Sequence, residues 1–225
     1  MSPIRRIVPA TAATGAISVG FGIFYTTSDI KSTPVSATDP IFNSNFYKRY
    51  NPNDNPPIHD LHVIRLPLNQ IDSTLLQDPN KLLERYCGGI WAGAGFTPQR
   101  ILHTWFEQPN ANKSQLWSRA ELLQSDYKID TDIAGNFEVV DRSEESILIR
   151  GGDKTSNRGL RVLDGLIELT ARIDRERDVA EFGFKSLFFQ GAGTTRELPM
   201  PGPVVWLHEL YAKILLRSGV RYVLG

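Results

Sequence analysis

Residues 79–91 carry the clearest periodic signal in the chain. Leu82, Leu83, Tyr86, Cys87, Ile90 and Trp91 recur at three- and four-residue spacing, which is one apolar stripe of a helix. Asp78 ahead of the stripe is a capping residue type, and Pro79 suits the first helical position. Gly88 and Gly89 each weaken such a helix by about 1 kcal/mol relative to Ala, so their expected use is close approach to another backbone. Thr97-Pro98 repeats the cap-plus-proline signal before a second helical segment, 99–107. Ser118-x-x-Glu121 is a capping box opening a short helix through Gln124. After that the period drops to two. Residues 136–141, 146–150, 163–174 and 179–190 read as strands, and the last two form a hairpin around residues 175–178. In its second arm Ala180, Phe182, Phe184, Ser186 and Phe188 alternate with Glu181, Gly183 and Lys185, the pattern of a half-buried antiparallel strand. Glu168 and Lys185 lie on the less apolar faces of the two arms, and a cross-strand ion pair is expected there. An earlier strand, 59–66, mixes polar and apolar residues on both faces. The chain closes with a proline-punctuated loop and a helix over 203–223, striped by Val204, Leu207, His208, Tyr211, Ile214 and Leu215.

The order is one strand, helices, at least four antiparallel strands and a long C-terminal helix. That order reads as α+β, an antiparallel sheet packed on the final helix. Over residues 58–224 it resembles the helix-grip architecture of START-like lipid carriers and aromatic polyketide cyclases. The stretch Gly135-Asn136-Phe137-Glu138-Val139, the hairpin ending Phe188-Phe189-Gln190-Gly191 and the proline loop before Trp206-Leu207-His208 are similar to a family of small, uncharacterised helix-grip proteins of filamentous fungi, some encoded near secondary-metabolite genes. The resemblance implies a curved sheet wrapped around the last helix, with an apolar cavity between them. It also implies a small hydrophobic partner, of the polyketide or terpenoid kind.

The first 57 residues differ from the rest. Arg5 and Arg6 precede an uncharged run, 7–28, of 22 residues. A bilayer span needs about 20 apolar residues, so this run reads first as a single-pass membrane anchor. Its Arg-led, acid-free composition also fits a mitochondrial presequence or a plain tail. Residues 29–57 read as a Pro/Asn-rich linker arm, whose Phe42, Phe46, Tyr47 and Tyr50 are expected to pack on the domain surface. The domain itself is expected over 58–225. The chain has 25 basic and 25 acidic side chains, and this balance argues against nucleic acid as a partner. A single cysteine excludes an internal disulfide framework and a cysteine zinc site. No phosphate loop, dinucleotide fingerprint or metal-ligand spacing is present, so neither a cofactor nor a metal is expected.

The candidate chemistry is therefore acid–base. His103 lies on the second helical segment, three residues after Arg100 and near Trp105 and Glu107. His208 and Tyr211 share the stripe of the last helix that a helix-grip fold turns toward its cavity. His103, His208 and Tyr211 are the candidate catalytic residues, since histidine is the side chain that titrates near neutral pH. Trp91, Arg100, Trp105, Phe182, Phe184 and Phe188 are the candidate ligand-binding residues, because a pocket is mostly apolar with few polar groups. The expected function is binding of a hydrophobic metabolite and its cyclisation, isomerisation or dehydration without a cofactor. A non-catalytic lipid or metabolite carrier and a membrane-tethered interaction protein remain as alternatives.

Overall fold

The computed structural model describes residues 27–101 and 115–225. His103, Trp105 and Glu107 lie outside the described residues, as does the apolar run up to residue 26. Among the described residues no helix is long and apolar enough to cross a membrane.

Among the described residues eight strands form one sheet in the order β1-β2-β8-β7-β6-β5-β4-β3. In chain order they are β1 (Lys31–Thr33), β2 (Ile58–Pro67), β3 (Gln115–Leu116), β4 (Asp132–Ile133), β5 (Phe137–Arg142), β6 (Ser146–Gly151), β7 (Asp164–Asp174) and β8 (Val179–Phe189). All neighbours are antiparallel except β3 and β4. The longer helices are α1 (Asn45–Tyr50), α2 (Pro79–Ala92), α3 (Arg119–Gln124) and α4 (Gly202–Leu224). The fold is α+β, with the long C-terminal helix packed against the sheet in a manner consistent with a helix-grip fold.

Local chemistry sets these boundaries. Asp78 accepts from the backbone N–H of Lys81, and Pro79 opens α2. Ser118 and Glu121 complete the capping box of α3. The inner face of the sheet carries Ile64, Leu66, Ile147, Ile149, Ile167, Leu169, Phe182 and Phe184, and α2 and α4 pack on it. The two helices cross closely. A Cβ built on Gly89 would sit 2.8 Å from the carbonyl oxygen of Gly219 and 2.5 Å from the Cβ of Tyr222. Only glycine fits there, because the obstacle is backbone that cannot rotate away.

After β1, residues 35–57 pack along the outer face of the sheet. Val35, Ile41, Tyr47 and Tyr50 form a second core with Leu148, Leu166, Leu187 and Phe189. This covering explains why Leu187, Phe188 and Phe189 are consecutive: β8 is buried on both faces here. Ser44 caps α1 by accepting from the N–H of Tyr47. Farther along, Asn55 donates to the carbonyls of Gln190 and Gly193 and accepts from the N–H of Thr195. The arm thus holds the loop that follows β8. Glu168 and Lys185 pair at 2.6 Å directly across β7 and β8, and Asp39 of the arm joins them at 2.9 Å.

Candidate functional site

A cavity of about 290 Å³ lies between α4 and the inner face of the sheet. Its apolar wall is Trp91 from α2, Phe137 from β5, Ile167 from β7, Phe184 and Phe188 from β8, and Ala212 and Leu215 from α4. Its polar positions are Gln99, Asn136, Asp153, His208 and Tyr211. Larger grooves also occur among the described residues. One of about 560 Å³ is lined mostly by charged side chains around the β7–β8 turn, and one of about 410 Å³ follows the glycine-rich crossing of α2 and α4. Neither sets an acid–base group against an apolar wall.

The sequence-derived candidates among the described residues have definite places; His103 and Trp105 lie outside them. Trp91, Phe184, Phe188, His208 and Tyr211 line the cavity together. Phe182 is not among the lining residues; it is fully buried one residue pair along β8, with its ring 5.2 Å from that of Tyr86. Arg100 is not there either, and its guanidinium donates to the carbonyl of Trp117 at 3.2 Å. Tyr211 donates its hydroxyl proton to Oε1 of Gln99 at 2.8 Å, and burial pushes the phenol above its usual range. It is therefore a neutral wall residue with its proton committed. Among the described residues the Trp91 indole N–H has no hydrogen-bond partner.

Behind His208 lies a polar cluster set into an otherwise apolar face. Asp60 and His62 are two apart on β2, so both point inward with Ile64 and Leu66. Ser186 lies opposite Asp60 on β8. The hydroxyl of Ser186 donates to Oδ1 of Asp60 at 2.8 Å and lies 2.8 Å from Nε2 of His208. Nε2 of His208 is 3.3 Å from Oδ2 of Asp60, and Nε2 of His62 is 3.2 Å from Oδ1. These two ion-pair contacts are close but not aligned as hydrogen bonds, which leaves Oδ2 of Asp60 and Nε2 of His62 without an aligned partner among the described residues. Nδ1 of His62 meets the Ser32 hydroxyl at 2.9 Å. Burial alone would raise the Asp60 carboxyl; the close contacts and charges of His208 and His62 outweigh it and hold the group well below the usual carboxylate range.

The cluster is not a nucleophilic triad. Ser186 is 1% exposed and does not line the cavity, and Ser186 and Asp60 approach the same ring nitrogen of His208 instead of opposite ones. Nor do the imidazoles converge as metal ligands, since they sit on different oxygens of Asp60. Among the described residues no group of His, Cys, Asp and Glu is spaced to hold a metal ion.

The rim of the cavity is rigid. Gly152 has φ +97°, and a Cβ there would meet the carbonyl of Leu163 at 2.7 Å. Asp153 accepts from Asn157 Nδ2 and from the Lys154 N–H; these bonds lower its pKa and keep a carboxylate at the rim. The loop between β6 and β7 is tied from within by Arg161, which donates to the carbonyls of Gly151, Lys154 and Asn157. Arg158, by contrast, pairs with Glu138 and takes no part in the cavity.

Comparison of the chain with family models, curated proteins and solved structures returns no match. The fold and the cavity therefore carry the functional reading.

Asp60 gives the site a pH signature. Its native pKa is below the value near 3.9 of an unfolded Asp, so the unfolded chain binds more protons across the acid range. The stabilisation it contributes is full above about pH 4 and fades as pH falls below that value. Asp60→Asn is expected to be less stable than the wild type at pH 7, with the gap narrowing at pH 3. Urea titrations at the two pH values check this; a gap independent of pH would contradict the placement of the charge.

Proposed function

We propose that this protein takes up a small, mostly apolar metabolite, of the polyketide or terpenoid kind, beneath α4 and acts on it by acid–base chemistry without a cofactor. The carrying observation is the cavity: a wall of three aromatic residues from two strands, Phe137, Phe184 and Phe188, closed by Trp91 and met on one side by His208. Its volume of about 290 Å³ lies at the lower end of the ~300–1,000 Å³ range of small-molecule sites, which favours a compact ligand of one or two rings. An apolar wall supplies affinity without direction, and a few polar groups orient the ligand.

Filling the cavity tests the reading. Ala212 is 1% exposed and lines the space from α4. Ala212→Phe places a ring where the ligand would lie. Apolar aromatic compounds that raise the melting temperature of the wild type are expected to leave this variant unmoved, while its circular dichroism stays native. Equal shifts in both proteins would put the ligand elsewhere. Binding without turnover would assign the protein to the carrier class.

A further inference from the structure

We infer that Nδ1 of His208 is the acid–base atom of the cavity, that Asp60 and Ser186 are its positioning residues, and that the substrate is an apolar β,γ-unsaturated ketone whose double bond is moved. This rests on the pocket reading above and adds the reacting atom and the substrate class to it.

The assignment follows from counting protons. An ionised carboxylate can only accept. Ser186 has one hydroxyl proton, and it goes to Oδ1 of Asp60. The Ser186 oxygen is then left as an acceptor toward His208, so the contact at 2.8 Å requires the proton to be on Nε2 of the ring. Oδ2 of Asp60, 3.3 Å from the same nitrogen, favours that tautomer further. In the neutral ring the basic lone pair is then on Nδ1. Among the described residues no protein group hydrogen-bonds Nδ1. His208 is also the one member of the cluster that lines the cavity. Phe188 packs edge-on against the imidazole at 4.8 Å and fixes its plane.

The step balances without a co-reactant. Nδ1 takes the proton from the carbon that lies between the carbonyl and a neighbouring C=C bond. The C–H electron pair becomes the C=C bond of a dienolate, and the carbonyl π pair moves to oxygen as the negative charge. The imidazolium, stabilised by the Asp60 carboxylate, returns the proton to the far carbon of the original C=C bond, whose π pair forms the new C–H bond; the oxygen pair re-forms the carbonyl and the dienolate C=C pair moves one bond along, into conjugation with it. Tyr211 is excluded as the proton donor because its hydroxyl already serves Gln99. The titratable groups around the ring are Asp60 and His62 from β2, Tyr211 one turn along α4, and Asp153 from the rim.

A flat carbon acid, nitrobenzisoxazole, serves as the probe for the full-length protein. A base removes its ring C–H proton, the C–H pair forms the nitrile, and the N–O bond breaks to a coloured phenolate. Nitroindazole, of the same shape but inert, reports binding alone. The expected result is saturable elimination whose kcat/KM falls about a hundredfold in His208→Ala, the ordinary worth of a general base. Nitroindazole should bind both proteins. Ser186→Ala should lower kcat with KM little changed, and Ser186→Thr should restore it. Asp60→Asn should move the pH–rate inflection to lower pH, a change that loss of packing alone does not produce. If nitroindazole fails to bind the wild type, the pocket reading falls and this inference with it. If it binds but His208→Ala reacts like the wild type, the pocket stands and the assignment of the base is overturned. If kcat and the inflection are unmoved in the Ser186 and Asp60 variants, their positioning role is overturned.

Discussion

Asp164→Ala is expected to cost the fold about 3–5 kcal/mol, the usual penalty for removing one partner of a buried ion pair. Asp164 is fully buried and holds Arg150 through two hydrogen bonds, of 2.9 and 2.6 Å. The Arg150 guanidinium also stacks at 3.9 Å from the ring centre of Tyr50 and donates to the carbonyl of Gly159. This one pair therefore joins the outer arm, β6, β7 and the rim loop. Without Asp164 the guanidinium keeps its charge and loses its counterion in a place that water does not reach. A domain of this size typically has about 5–15 kcal/mol to lose, so the variant should melt on the order of 10 °C lower. A thermal or urea unfolding curve measures this. The double variant Arg150→Met with Asp164→Leu should recover most of the loss, because both charges leave together. A loss under about 1 kcal/mol in the single variant would contradict the buried pairing.

Phe182→Ala and Phe188→Ala are expected to separate core from cavity. Phe182 is fully enclosed by α2 and the sheet, so truncation should cost about 3–5 kcal/mol. Phe188 borders the cavity and retains 9% exposure, so its contacts are incomplete and its truncation should cost clearly less. The ligand-binding consequences are reversed: Phe188→Ala should weaken uptake of small aromatic compounds, and Phe182→Ala should act only through stability. Unfolding curves and binding isotherms on both variants measure the contrast. Equal stability losses would mean that the space beside Phe188 is filled.

That contrast marks what the residue pattern could and could not reveal. Strict alternation along β8 put Phe182, Phe184, Ser186 and Phe188 on one face, and they lie on one face. Alternation says which way a side chain points, not whether atoms or empty space meet it there. That depends on where α4 crosses the sheet, and the crossing is set by glycine contacts between residues 130 positions apart, Gly89 and Gly219. Gly88 and Gly89 signalled a close approach; their partner was not legible. The arm was partly legible. Its aromatics asked for a surface to cover, but the outer face that takes them is recognisable only once β8 is seen to be apolar on both sides.

Half of the polar cluster is legible in the spacing of β2. Asp60 and His62 are two apart on a strand, so they share a face, and Ile64 and Leu66 mark that face as the inner one. Two polar residues on a buried strand face must find partners. His59, three residues before His62, points to the other side and accepts from the Val35 N–H. The link to Ser186 could not be read locally, because it spans 126 residues and depends on the β2–β8 register. Phe182 and Arg100 were assigned to the ligand because an inner-face aromatic and a nearby cation fit a pocket as well as a core.

Native mass spectrometry of the full chain purified from its own source, followed by extraction of bound species, tests the cavity most directly. The expected result is a discrete added mass that extracts as a small apolar compound and is absent from Ala212→Phe. A single unliganded mass, unchanged after incubation with lipid and metabolite extracts, would contradict the account.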